Sequence, residues 1–492
     1  MALTVRAKKL IDRAAELNTS LAEKLKSSGL SFLPWVSPIG SRSPEETEAW
    51  HPSYGKNFLS RIGKYIFCIA RSLAKGTWYF LTYKGFGYIY INEANDILLV
   101  IPDEITDHSP GGKTSYLSED ERFGIDKIVF SRSKRMDRGF TSLSYFKKIK
   151  IFTAIASAIT KDVLEKIRKR KADVYYTDVL IIFLEWFLSQ SWYLHIDLYL
   201  FVKGLVSSGA PYKALAAVHE MHFYSKLIWQ VAKEESLLAV TGQHAMVIPE
   251  KLWYFPHRRE IDAGVAVPDV FFVYSETTKE MLKKNYPDST EFPLCYSPRF
   301  KQWKDIAKIP QPPKDMKGRE YVLFVGGLTP YDTAILVEAI DNLLKIGQET
   351  ANIKIKMRPH PHARVRMRDK IWISKASRLR SIELSNGSLA DDLEKSLVVV
   401  GAYTMVLRQA ALLGLPVLSV QSDKYMHPSV LPEGEKWNVQ IGDFCWDRLT
   451  RQIDAIPDEA MKENLMKDLG AGNAEFSTKL IYEKCDIREK RS

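Results

Sequence analysis

From Ala214 onward, short β-branched and apolar runs alternate with stretches of about ten residues at helical spacing, and this alternation limits the fold more than any other feature. KALAAVHEMHF gives a small apolar run, SKLIWQVAKEES an amphipathic helix with Ile228, Val231 and Ala232 on one side, and LLAVTGQHAM a strand. VFFVY and the helical segment 276–284 repeat the unit. Strands joined by helices bury both faces of a parallel sheet, so the sequence predicts an α/β, doubly wound fold. Residues 301–319, with Pro310, Pro312 and Pro313 among lysines, break the pattern and read as a linker. A second series follows: YVLFV, the turn Gly326-Gly327-Leu328-Thr329-Pro330, and a helix over 333–346. The predicted division is an N-terminal helix and irregular linker (1–55), an α/β domain (56–309), a second α/β domain (318–445) and closing helices (446–492).

Before Ala214, NDILLVIP is a strand followed by the loop DEITDHSPGGKTSYLSEDE, and 128–131 a short second strand. Helical stretches are predicted over 58–81 and 143–169. The aromatic-rich window 179–202 contains Glu185, His195 and Asp197, so it lacks the ~20 uninterrupted apolar residues that span a bilayer and reads as buried helix. Residues 2–28 place Leu10, Ile11, Ala14, Leu17, Leu21 and Leu25 at helical spacing between cations. Such a helix either lies on a membrane surface or packs on the protein's own domain or on a partner.

Four widely spaced cysteines give neither a disulfide framework nor a zinc site. The net charge of +11 favours an anionic partner, whether nucleotide phosphates, an acidic glycan or an anionic membrane surface, unless it is only a solvated basic face. No signal peptide is read at the start. The expectation is a cytoplasmic chain, at most peripheral at the inner membrane, with no nucleic-acid partner.

The densest chemistry lies in 353–420. IKIKM leads into Arg358-Pro359-His360-Pro361-His362, where prolines stiffen a loop carrying a permanent cation and imidazoles. LVVV ends at Gly401-Ala402-Tyr403-Thr404, the start of a helix stopped by Gly414. The Thr404 hydroxyl and the free amides there suit an anion, the helix dipole adding about 0.5 kcal/mol. Gly326 and Gly327 allow close approach of a phosphate to backbone amides. Gln243-His244 ends a strand of the first domain. Candidate general bases are His244, Glu220 and His219, Asp107 and His108, and the acids 119–121.

In order, GQHAM, FFVYSETTKEML, YSPRF, GGLTPYD, IKIKMRPHP and SLADDLEKSLVVVGAYTMVLRQAALLGLPVLSV resemble the GT-B glycosyltransferases of bacterial surface polysaccharide synthesis. The similar kinds are the capsule and lipopolysaccharide Kdo transferases, the CMP-sugar sialyltransferases and the CDP-glycerol polyol-phosphate transferases. The resemblance spans 214–420. It implies two Rossmann-like domains facing a central cleft, with donor-binding contacts from Gly326, Gly327, Arg358, His360, Pro361, Tyr403, Thr404 and Gln409. Catalytic roles fall to Glu220, His244 or Asp107. Ala245, Tyr296, Tyr403 and Gln409 depart from the family's usual residues. A neutral Gln409, where many retaining enzymes carry a ribose-binding Glu, favours a CMP-linked donor. Asp391-Asp392 reads as a pair of solvated helix caps, so no metal and no cofactor beyond the nucleotide-sugar is expected. The implied reaction moves an acidic sugar, Kdo or another ulosonic acid, to a glycan or lipid-linked glycan acceptor. The alternatives are polyol-phosphate transfer and non-catalytic glycan binding or scaffolding.

Overall fold

The computed structural model describes residues 5–36, 70–71, 73–74, 88–90, 95–102, 117–119, 125–130, 144–169, 173–188, 192–218, 223–244, 247, 254–301, 318–327, 330–346, 354–360, 374, 382–422 and 429–489. The chain divides into two compact units, one formed by 1–299 with 473–492 and the other by 300–472.

The first unit begins with helices α1 (Val5–Leu25) and α2 (Leu33–Val36). Strands β1 (Tyr88–Tyr90), β2 (Ile97–Pro102) and β3 (Asp126–Phe130) lead to three helices, α3 (Tyr145–Arg168), α4 (Val174–Leu188) and α5 (Trp192–Ser207). Then come β4 (Ala214–Ala217), α6 (Phe223–Glu234), β5 (Leu238–Gly242), α7 (Arg258–Asp262), β6 (Val270–Phe272) and α8 (Glu276–Lys283). The sheet order is β1-β3-β2-β4-β5-β6, with β1 antiparallel on the edge and every other pair parallel. Counted from β2, the parallel strands run 2-1-3-4-5, a doubly wound order whose direction reverses between β2 and β4. Helical cover on both faces explains why β2 to β5 read as unbroken apolar runs.

Of the two readings of α1, the structure has the helix packed within the fold. Leu10, Ala14, Leu17, Leu21 and Leu25 are buried in the core shared with α3 and α4. Its polar positions are tied down as well: Arg13 pairs with Asp173 at 2.6 Å, Glu16 with Lys166, and Lys24 with Asp162 at 3.2 Å. Asn18, fully buried, donates to Glu260 of α7 at 3.0 Å. The apolar face of α1 is therefore unavailable to a bilayer. The window 179–202 resolves into two helices, α4 and α5, and among the described residues no single helix is long and apolar enough to cross a membrane. His195 and Asp197 lie inside: His195 stacks on Phe223 with centroids 3.8 Å apart, and Asp197 faces Lys148, whose pKa burial lowers against the pull of that carboxylate.

The second unit comprises β7 (Tyr321–Val325), α9 (Pro330–Ile346), β8 (Lys354–Arg358), β9 (Ile382–Leu384), α10 (Leu389–Glu394), β10 (Ser396–Gly401), α11 (Met405–Leu412), β11 (Val417–Gln421), β12 (Asn438–Gln440), α12 (Trp446–Ile453) and α13 (Glu459–Asp468). All six strands are parallel in the order β9-β8-β7-β10-β11-β12, which is the Rossmann order 3-2-1-4-5-6. Gly414, at φ +74°, closes α11 as the sequence predicts. Two Rossmann-like units in one chain are the α/β composition of the GT-B class.

The last element, α14 (Thr478–Glu489), belongs to the first unit, together with the segment leading to it. Residues 475 and 477 make parallel bridges to Tyr296 and Ser118. Phe476 packs on Phe272 with ring centroids 4.9 Å apart. The predicted division had grouped all of 446–492 as closing helices; α12 and α13 lie in the second unit and α14 in the first.

Candidate functional site

In the second unit the strand order reverses between β7 and β10, where the two flanking connections leave in opposite directions and open a crevice at the carboxyl ends. Three loops that the sequence singled out meet there. The Gly326 amide donates to Arg358 O at 2.8 Å, joining the ends of β7 and β8. A Cβ on Gly326 would lie 2.9 Å from His360 N and 3.3 Å from Pro359 Cα. A Cβ on Gly327 would lie 2.5 Å from Tyr403 O and in the space of the Asp332 carboxyl group. Only glycine allows the β7 loop to touch both neighbours. His360 and Tyr403 are half-buried, Thr404 is buried, and Gln409 is half-buried on α11. Gly326, Gly327, Arg358, His360, Tyr403 and Thr404 thus share one strand-end region, while Pro361 lies outside the described residues.

Two of these groups already have partners. Thr404 is the N-cap of α11, its Oγ1 accepting from Val406 N at 3.4 Å. Arg358 Nη1 lies 3.0 Å from Ser385 Oγ, 2.9 Å from Gly387 O and 2.7 Å from Asp392 Oδ2. Asp392 also meets Lys356 Nζ at 3.2 Å and accepts from Ser385 Oγ. Burial favours the neutral acid, but hydrogen bonds from Ser385, Arg358 and Lys356 hold the Asp392 carboxyl below its ordinary value. The expectation of a solvated cap therefore fails for Asp392, whose side chain is only 2% exposed because it is the counter-ion of two strand cations. Asp391 does occupy an exposed first-turn position.

Two further residues near the site were missed in the sequence. Asp332 is fully buried in the first turn of α9. Its signal was present as Pro330-Tyr331-Asp332, a proline at the helix start followed by an acid in the first turn. Arg408 on α11 is buried, with Nε 2.5 Å from Val430 O and Nη2 3.0 Å from Asp468. Burial lowers its pKa. Nothing local distinguishes this arginine from a surface one.

In the first unit, Asp107, Glu220, His108, His219 and Ala245 lie outside the described residues. Gln243 is engaged structurally: its amide donates to Phe272 O at 2.8 Å, its Oε1 accepts from Tyr274 N at 2.9 Å, and its carbonyl accepts from the Tyr274 hydroxyl. His244 is buried immediately beyond it. Glu119 accepts bidentately from the buried Lys127, at 2.7 Å to each oxygen, as a structural ion pair. Tyr296, where the family motif has Gly, is buried, and its backbone pairs with Ala474 and Phe476 at 2.8 Å. Ser297 Oγ is buried without a hydrogen-bond partner among the described residues.

Fold and site together define a chain of two Rossmann-like α/β units, in the second of which the Gly326-Gly327, Pro359-His360 and Tyr403-Thr404 loops meet at the strand ends. No family model and no curated protein matches it. Among solved structures it is similar to TarM, at 14% identity and TM-score 0.37, with 60% of this chain and 57% of TarM covered. It is also similar to a UDP-forming trehalose-phosphate synthase from Burkholderia xenovorans, at 12% identity and TM-score 0.41, covering 77% of this chain and 96% of that one. A third is the UDP-GlcNAc 2-epimerase of Methanocaldococcus jannaschii, at 11% identity and TM-score 0.38, covering 76% and 99%. All three likenesses are distant.

Proposed function

We propose that the chain is a glycosyltransferase that takes a nucleotide-sugar in the second unit. The observation carrying this reading is the convergence of the Gly326-Gly327, Pro359-His360 and Tyr403-Thr404 loops at the reversal point of a 3-2-1-4-5-6 sheet. The Gly327 amide, the His360 imidazole and the first turn of α11 are the groups that would donate to an anion there. Charge builds on the departing nucleotide phosphate in the transition state, so fixed donors there lower the barrier directly. His244, Glu220 and Asp107 are the candidate bases for the proton of an acceptor hydroxyl.

The finer reading is a CMP-linked acidic sugar passed to a surface glycan. What supports it is Gln409, a neutral amide at the place where many retaining enzymes of the resembled class carry a ribose-binding Glu. Calorimetric titration with CMP, CDP and UDP tests the preference, followed by a donor screen. CMP is expected to bind most tightly, and His360→Ala to weaken it at least ten-fold. Turnover of a UDP-sugar with no binding of CMP overturns the donor assignment. The pairing of Arg358 with Asp392 and of Thr404 with its own helix favours one rival, nucleotide binding without transfer. Tight CMP binding with no turnover of any donor selects that rival.

A further inference from the structure

The outward side of α3 is apolar where a soluble helix is ordinarily polar. Phe146 is 83% exposed, Leu164 61%, Ile167 60% and Ile149 44%. At spacings of three, four and seven residues, 146, 149, 153, 160, 164 and 167 fall on one stripe of the helix. The intervening exposed positions are Thr153, Ser157 and Thr160; the two threonine hydroxyls donate to the helix's own carbonyls at Ile149 and Ala156, 3.0 and 2.9 Å away, which leaves their methyl groups with little polar demand. Beside the stripe runs a lane of exposed cations, Lys147, Lys150, Lys161 and Arg168. The acids of the helix do not offset them: Asp162 is buried against Lys24 and Tyr176, and Glu165 pairs with Lys24 and Lys169.

The surrounding sequence extends this bias. Residues 132–171 hold thirteen lysines and arginines against three acids, a net +10 out of the chain's +11. Within α3 itself Lys148 and Lys166 turn inward, and Lys147, Lys150, Lys161 and Arg168 remain exposed.

We propose that the outward face of α3 is a docking surface for an anionic lipid bilayer. An apolar stripe flanked by cations matches an interfacial helix lying in the membrane plane, with Phe146, Ile149, Leu164 and Ile167 among the acyl-chain ends and the lysine stems reaching back to phosphate headgroups. A second copy of the chain is a poor occupant, because it would bring two strongly cationic faces together. The surface is independent of the sugar-transfer reading and replaces α1, whose apolar face is inside the fold.

The test is co-sedimentation of the full chain with phosphatidylcholine vesicles, with and without about one-third phosphatidylserine. Binding is expected only with the anionic lipid, and it should weaken as salt is raised. Replacing Lys147, Lys150 and Lys161 together by Gln should lower partitioning about a hundred-fold, at about five-fold per cation removed. Phe146→Ser with Leu164→Ser and Ile167→Ser should lower it at least ten-fold. All six side chains are exposed, so an unchanged thermal transition is the control for folding. Equal binding to neutral vesicles, no binding by the unmodified chain, or variants that bind like it overturn the proposal. A lipid-independent dimer that the serine variant dissolves also overturns it.

Discussion

Removing the Asp392 carboxylate tests whether the strand cations beside the candidate site depend on one buried counter-ion. In Asp392→Ala, Arg358 and Lys356 would face each other across the end of β8 without that charge, while Ser385 would lose its acceptor. Deleting one member of a buried ion pair costs about 3–5 kcal/mol. Here Arg358 keeps 23% and Lys356 15% of its side-chain exposure, and Lys356 retains Glu383 at 3.1 Å, so the low end applies, about 3 kcal/mol. For a unit of this size each kcal/mol lowers the transition by about 2–4 °C, which predicts a fall of about 6–12 °C in scanning calorimetry at pH 7. The pH dependence gives a second reading. The folded pKa of Asp392 lies below the unfolded value, so its stabilisation is whole above about pH 5 and lost as the pH falls through the folded pKa. The gap between the two proteins should therefore narrow as the pH falls below the ordinary carboxylate range. A shift below about 2 °C at neutral pH, or a gap that persists undiminished in acid, refutes the counter-ion role.

Gly327→Ala should abolish nucleotide binding and destabilise the second unit by about 1–3 kcal/mol, because its new Cβ meets the Tyr403 carbonyl and the Asp332 carboxyl group; calorimetry with CMP and thermal unfolding read the two effects. Gly242→Ala should loosen the C-terminal segment, since its Cβ would lie 2.8 Å from Phe476 Cδ1, and limited proteolysis should cut near 473–489 faster. Phe476→Ala in the Gly242→Ala background should add less than it costs alone, and full additivity removes the contact from the account. Asn18→Ala should cost about 1–3 kcal/mol by removing a donor from the buried Glu260, seen as a lower transition.

The parallel strands were legible because a strand buried on both faces is an apolar run. YVLFV, LLAVTG and NDILLVIP coincide with β7, β5 and β2 within a residue or two. Missed strands are short or polar: β1, β9 and β12 have three residues each, and Ile382–Leu384 carries Glu383 at its centre. Loop positions were readable where glycine and proline force a conformation, as at Gly326-Gly327 and Arg358-Pro359. The partners of those loops were not, because Asp392 reaches Arg358 across 34 positions and its helix begins like any solvated capped helix. Periodicity likewise marked both 2–28 and 143–169 as helical, and only the first was read as a candidate membrane-surface helix. Which of them turns its apolar stripe outward depends on packing against α4, and only the structure decides that.

The return of 473–489 to the first unit has a consequence for synthesis. The second unit is an insertion within the first, so the Gly242 and Phe272 surface that Phe476 covers is bare when Arg299 leaves the ribosome. At about 5–20 residues per second, the intervening residues take roughly 10–35 s to emerge. Throughout that interval the second unit is still emerging and the first waits, its aromatic edge open to chaperones or to a neighbouring nascent chain. A ribosome stalled shortly before Asn473 would release a protein with one finished unit and one unsealed.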